Sequence, residues 1–213
     1  MTDANRALVL IDIQQDYFDG PLTIQHPPID QSLARITAAI DAATAAGVPV
    51  VVVQHTAGDE AHVFNPTTAG FALHPDIEAR RTSGWTPITK RFSSVFADTD
   101  LVGWARHHEI GTVTLVGYMT NNCIIASAAD AEMHGIQVEV LSDATGAISI
   151  ANAAGHVDAR TVHETLMALL HSNFAAVADT DTWISAITDG TALPKDNLPT
   201  SAQAGAALFS AQN

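Results

Sequence analysis

Residues 112–134, TVTLVGYMTNNCIIASAADAEMH, carry the reading that decides the fold. Val113, Leu115 and Val116 form a short apolar run rich in β-branched side chains, which suits a buried strand. Gly117 punctuates it, and Thr120, Asn121 and Asn122 are residue types that favour helix N-caps. The spacing of Ile124, Ile125, Ala128, Ala129 and Met133 then predicts a helix that Gly135 stops. Strand, tight turn and helix in that order put Cys123, the only cysteine, in or beside the first helical turn. Unpaired backbone N–H groups and the positive end of the helix dipole favour a thiolate there. The same N–H groups are placed to hold an oxyanion on a substrate carbonyl. A lone cysteine in an Ala-rich stretch reads equally as a small buried hydrophobe, so the rest of the chain has to choose.

Outward from this stretch, strands and helices alternate. Ala7–Ile13 is a near-continuous apolar run, as expected of a strand covered on both faces. Asp12 lies within its end, where a carboxylate needs a partner or a task. Asp30 caps a helix with Leu33, Ile36, Ile40 and Ala43 at helical spacing, and Gly47 closes it. Val48–Gln54 is a second buried strand ending at His55, and Thr86–Thr89 a short one followed by Lys90. Residues 56–86 form a polar connection with Phe64, Phe71 and Trp85, long enough to serve as a lid or pocket wall.

Further on, Leu101–His108 reads as a helix, Ile136–Leu141 as a strand and Asp143–Gly155 as a loop. Asp158–Ser172 reads as a helix, Phe174–Val177 as a last strand and Asp181–Ile187 as a short helix. This pattern predicts one α/β domain over residues 1–187, a three-layer α/β/α sandwich on a mainly parallel, Rossmann-like sheet. Residues 188–213, rich in Gly, Pro and Ala, read as a C-terminal extension, mobile or laid over a neighbouring subunit. In such sheets ligands sit beyond the carboxyl ends of the strands. Asp12, His55, Lys90 and the Tyr118–Cys123 turn all fall there.

The composition narrows the partners. With 23 acidic against 9 basic residues, the formal charge of −14 argues against nucleic acid and anionic membranes. A single cysteine fits a reducing, cytoplasmic setting. No basic stretch leads into an apolar run at the N-terminus, so no secretory signal is expected, and no apolar run reaches membrane-spanning length.

Asp12, Lys90 and Cys123 combine into a chemical unit. A buried carboxylate takes a thiol proton, and a nearby ammonium lowers the thiol pKa and holds the carboxylate ionised. The thiolate then attacks a carbonyl carbon. Lys90 is one of only two lysines, with Lys195. A structural Asp–Lys pair beside an unrelated cysteine is the competing reading.

The order and separation of IDIQQDYF (11–18), ITKRFSSVF (88–96) with ADTDL after it, and GYMTNNC (117–123) resemble the isochorismatase-like cysteine hydrolases. That family includes nicotinamidases and N-carbamoylsarcosine amidohydrolases, and the resemblance spans roughly residues 7–187. It implies Asp12 as general base, Lys90 as electrostatic partner and Cys123 as nucleophile. It also implies oxyanion donors at the backbone N–H groups of Met119 and Cys123, and a cis peptide bond at Tyr118–Met119. Tyr17 and Phe96 are implied to line the substrate cavity, and Gln54, His55 and Tyr118 stand at the right strand ends to touch substrate.

The expected activity is hydrolysis of a C–N bond in a small amide or carbamoyl-type substrate through a thioester. The alternatives are hydrolysis of a vinyl ether, as in isochorismatases proper, which need no cysteine, and a binding protein on the same fold. Nicotinamidases of the family carry an Asp-x-His pair after the second strand. This chain has Gln54, His55, Thr56 and Ala57 there, so no metal and no cofactor are expected, and nicotinamidase activity is disfavoured. His163 and His171, on a helix, are expected to face solvent or a subunit. The resemblance implies assembly as a homodimer or homotetramer.

Overall fold

The computed structural model of the protein describes residues 5–210. Its frame is a six-stranded sheet in which every neighbouring pair runs parallel. The strands are β1 (Arg6–Ile11), β2 (Val50–His55), β3 (Thr86–Lys90), β4 (Thr112–Tyr118), β5 (Gln137–Gly146) and, two short strands later, β8 (Ala176–Ala178). Their spatial order is β3-β2-β1-β4-β5-β8. The chain leaves β1 in one direction and continues from β4 in the other, so the topological switch point lies between these two strands.

The strands are covered on both faces, as their unbroken apolar runs require. Alternate residues of β1 point opposite ways: Leu8 and Leu10 join one core, while Ala7, Val9 and Ile11 join the other. The first core is roofed by α1 (Ile29–Ala46), through Leu33, Ile36 and Ile40, and by α6 (Thr180–Thr188), through Trp183. The second is roofed by α3 (Leu101–His107), α4 (Ile125–His134) and the end of α5 (Ala159–Leu169), through Leu101, Ile124, Ala128 and Met167.

Gly117 is inside β4 rather than at its end. It has φ +106°, and a Cβ there would overlap the Ile11 carbonyl of β1. Only glycine lets the two strands approach this closely at the switch point.

Four segments depart from the sequence expectations. The connection 56–86 carries α2 (Pro75–Glu78), and is fastened to the end of β1: Gln14 Nε2 donates to Phe71 O, and the Phe64 N–H donates to Asp16. Residues 143–155 are not a plain loop. β5 runs on to Gly146, and β6 (Ile150–Asn152) and β7 (Gly155–Val157) form an antiparallel hairpin. α5 ends at Leu169 in a widened turn, Leu170–Phe174, and His163 points into the protein instead of outward. The C-terminal segment contains α7 (Leu198–Phe209), capped by Asn197, whose Oδ1 accepts from the Thr200 N–H at 3.0 Å. No residue of α7 is buried, and Leu198, Leu208 and Phe209 are exposed. Among the described residues no helix is long and apolar enough to cross a membrane.

Candidate active site

Asp12 follows β1, Lys90 ends β3, and Cys123 follows β4, so the fold delivers all three to the carboxyl edge of the sheet beside the switch point. The Lys90 Nζ lies 2.7 Å from Asp12 Oδ2 and 3.2 Å from Cys123 Sγ. All three residues are buried, at 0%, 1% and 2% exposure for Asp12, Lys90 and Cys123. Asp12 adopts φ +51°, a left-handed conformation that Asp tolerates better than most side chains. Apart from the ion pair, its two carboxylate oxygens take no well-aligned hydrogen bond from the described residues. The Cys123 thiol and the His55 backbone still lie close enough to support its charge, and a buried carboxylate so loosely held beside a thiol is suited to receive a proton.

Lys90 has further neighbours. Its Nζ is 3.1 Å from His55 Nδ1 and 3.2 Å from Phe92 O. An ammonium only donates, so His55 presents its lone pair through Nδ1 and carries its proton on Nε2. Three N–H groups thus serve four acceptors: Asp12, His55, Phe92 O and Cys123.

Electrostatics correct one expectation. Burial first, and the Asp12 charge second, push the Cys123 thiol up to about 12, against the opposing pull of Lys90. Desolvation thus outweighs the pull of the ammonium that was expected to favour thiolate. Burial also raises Asp12 despite Lys90, which improves it as a proton acceptor. His55 is lowered to about 4, by burial and then by the Lys90 charge.

The turn that carries Cys123 differs from a capped helix start. Met119 is extended, the peptide bond Tyr118–Met119 is cis, and residues 120–124 form a wide turn with Ile124 N donating to Met119 O at 3.2 Å. The cap-forming residue types do not cap. Thr120 Oγ1 bonds His163 Nδ1, Asn121 Oδ1 accepts from Ile148 N, and Asn122 Oδ1 accepts from Ser93 Oγ. Each ties the turn to a different part of the chain. The Met119 N–H donates to no protein acceptor among the described residues.

The expected substrate-contacting residues divide. The Tyr17 ring stands 5.2 Å from Phe64 and 5.6 Å from Tyr118, and burial first, with the nearby acidic groups second, raises its phenol well above the ordinary value. The His55 ring meets Phe64 edge-on at 5.2 Å. Tyr17, His55 and Phe64 thus pack on one another, with His55 in contact with Lys90. Tyr118 is buried in the same core as Tyr17, and its hydroxyl turns away to pair with Ser32 Oγ at 2.9 Å. Gln54 turns its amide to Phe71 O at 3.0 Å and serves to hold the loop.

Phe96 is displaced furthest from expectation. Residues 93–96 run along α4, through Ser93–Asn122, Val95–Ser127 and Ser94–Asp130, and the Phe96 ring packs 5.3 Å from His134. That is the far end of α4, ~15 Å along the helix from Cys123 at 1.5 Å per residue. Phe92, which sequence reasoning missed, accepts from Lys90 Nζ through its backbone carbonyl, and its ring is exposed. Its place directly after Lys90 and Arg91 was the only available sign.

No group of three or more His, Cys, Asp or Glu side chains among the described residues is arranged to hold a metal ion. At the position where a paired ligand would stand, His55 faces Lys90 with Nδ1.

A parallel sheet with polar groups gathered beyond its switch point is the arrangement of ligand-binding α/β proteins. Within that class the chain belongs to the isochorismatase family of hydrolases: the family model described as "Isochorismatase domain" matches residues 6–182. The chain is 31% identical over 180 residues to YddQ, an uncharacterised isochorismatase family protein of Bacillus subtilis, covering 84% of this chain and 98% of that one. It is 26% identical over 166 residues to a nicotinamidase/pyrazinamidase of Mycobacterium tuberculosis, covering 68% and 88% of the two chains. A crystal structure from Burkholderia xenovorans, provisionally assigned as an isochorismatase, superposes with TM-score 0.94 at 41% identity, over 98% of this chain and 100% of that one.

Proposed function

We propose that the protein is a cysteine-dependent amidohydrolase acting on a small amide or carbamoyl compound. The observation that carries this reading is the buried contact of one ammonium with both a carboxylate and the only thiol. The amidase activity named for the nicotinamidase/pyrazinamidase relative supports the bond type.

Cys123 Sγ adds to the substrate carbonyl carbon, forming the S–C bond as its proton passes to Asp12. The raised thiol and the raised Asp12 suit this concerted transfer. Lys90 offsets the charge developing between them, and the N–H groups of Met119 and Cys123 receive the oxyanion. Collapse breaks the C–N bond, and Asp12 returns the proton to the departing ammonia or amine. Water, giving a proton to Asp12, then attacks the thioester, releasing the carboxylic acid and restoring the thiol. An ammonia-release screen over small amides, ureas and carbamoyl compounds tests the reading. Turnover that disappears in Cys123→Ala and Asp12→Asn is the expected result, and turnover that survives in the cysteine variant refutes the covalent route.

A further inference from the structure

His163 lies on α5, outside the catalytic cluster, and is 4% exposed. Its Nε2 is 3.0 Å from the Ser142 carbonyl oxygen, and its Nδ1 is 3.0 Å from Thr120 Oγ1. A carbonyl oxygen accepts only, so the proton sits on Nε2 and Nδ1 offers a lone pair. The Thr120 hydroxyl consequently donates to His163. Burial holds the imidazole at about 4, which keeps it neutral near pH 7. The tautomer and the direction of both hydrogen bonds are fixed.

Thr120 is fully buried and follows directly on Met119. The Met119 N–H donates to no acceptor among the described residues, and the Met119 carbonyl receives the N–H groups of Asn122 and Ile124, which flank Cys123. The Met119 carbonyl shares its peptide plane with the Thr120 N–H, so a shift of Thr120 moves the acceptor that holds the Asn122 and Ile124 N–H groups, and with it the residue whose own N–H faces the turn. The other ties of the turn, through Asn121 and Asn122, reach partly exposed partners, whereas the Thr120 tie is buried on both sides. We propose that His163 is a positioning residue, which acts through the Thr120 hydroxyl to hold the Met119 N–H and Cys123 Sγ where the reaction needs them. This rests on reading Cys123 as the nucleophile.

The same histidine could simply anchor α5 to β5 through Ser142, and the two roles use different ring nitrogens. In His163→Asn the amide stands near the Nδ1 position and keeps the acceptor for Thr120. In His163→Gln the amide reaches the Nε2 position and keeps the bond to Ser142. Thr120→Val removes the hydroxyl at constant shape, and Thr120→Ser restores it. Two readouts are taken on each full-length variant: kcat and KM for the best amide of the screen, and the rate of Cys123 alkylation by iodoacetamide, followed by intact mass. Positioning predicts that Thr120→Val and His163→Gln lose about tenfold in kcat with KM nearly unchanged, because small misplacements of reacting groups cost rate rather than binding. Both also alkylate more slowly, while Thr120→Ser and His163→Asn stay near wild type in both readouts.

A reversed order of the two histidine variants, or equal rates in all four, overturns the proposal. If the wild-type protein hydrolyses no amide, the amidohydrolase reading fails on that result, and the order of alkylation rates still decides the role of His163.

Discussion

Lys90 and Asp12 form an ion pair of 2.7 Å with both side chains fully buried. Such a pair gains little over a well-packed apolar one, yet breaking it is expensive, because the surviving charge is left without a partner. Lys90→Met is expected to destabilise the protein by about 3–5 kcal/mol in urea unfolding, and Lys90→Met with Asp12→Asn by clearly less than the sum of the single changes. Additive losses would show that the two charges are not coupled.

Gly117→Ala tests the switch point. The added methyl would press on the Ile11 carbonyl, at a φ that L residues rarely adopt. A loss of about 3 kcal/mol or more, or failure to accumulate as soluble protein, is expected. Unchanged thermal stability would mean that β1 and β4 part more easily than their spacing indicates.

Stability should fall towards both acid and alkaline pH, for separate reasons. His55 and His163 are held at about 4 in the folded protein, against 6.5 for the ordinary side chain. The unfolded chain therefore binds protons that the folded one excludes, and stability declines as pH drops from about 6.5 towards 4. Asp12, raised by the same burial, works the other way in acid. Cys123 keeps its proton up to about 12 against an ordinary 9.0, so stability also declines as pH climbs through that range. His163→Asn should flatten the acid limb and Cys123→Ala the alkaline one in melting curves; limbs that match wild type would contradict the assigned shifts.

Removing residues 197–213 deletes α7, which has no buried residue of its own and rests lightly on the Leu170–Phe174 turn. The melting temperature is expected to change by no more than about 2 °C, the scale of a surface change. A fall well beyond that would mean that the contact of α7 with the Leu170–Phe174 turn contributes more than a surface change.

The parallel sheet and the three central residues were legible because they follow local rules. Apolar runs covered on two faces mark Ala7–Ile11 and Val50–Val53 as buried strands, and polar residues at strand ends mark Asp12 and Lys90. What escaped depends on pairings across the chain. Thr120, Asn121 and Asn122 looked like helix caps by type, but His163, Ile148 and Ser93 claim them. The direction taken by residues 93–96 along α4, which removes Phe96 from the site, is a packing outcome with no signature in composition. The upward push on the Cys123 thiol depends on how deeply it is enclosed, a quantity that the spacing of residues does not contain.

The shortage of hydrogens on Lys90 has a dynamic consequence. With four claimants and three N–H groups, one claimant always goes short, and which one can change by spinning a single C–N bond. As negative charge gathers on sulfur, the ammonium can swing a hydrogen towards it and give up a neutral imidazole or carbonyl. The centre can thus redistribute its support during a turnover while the sheet stays still.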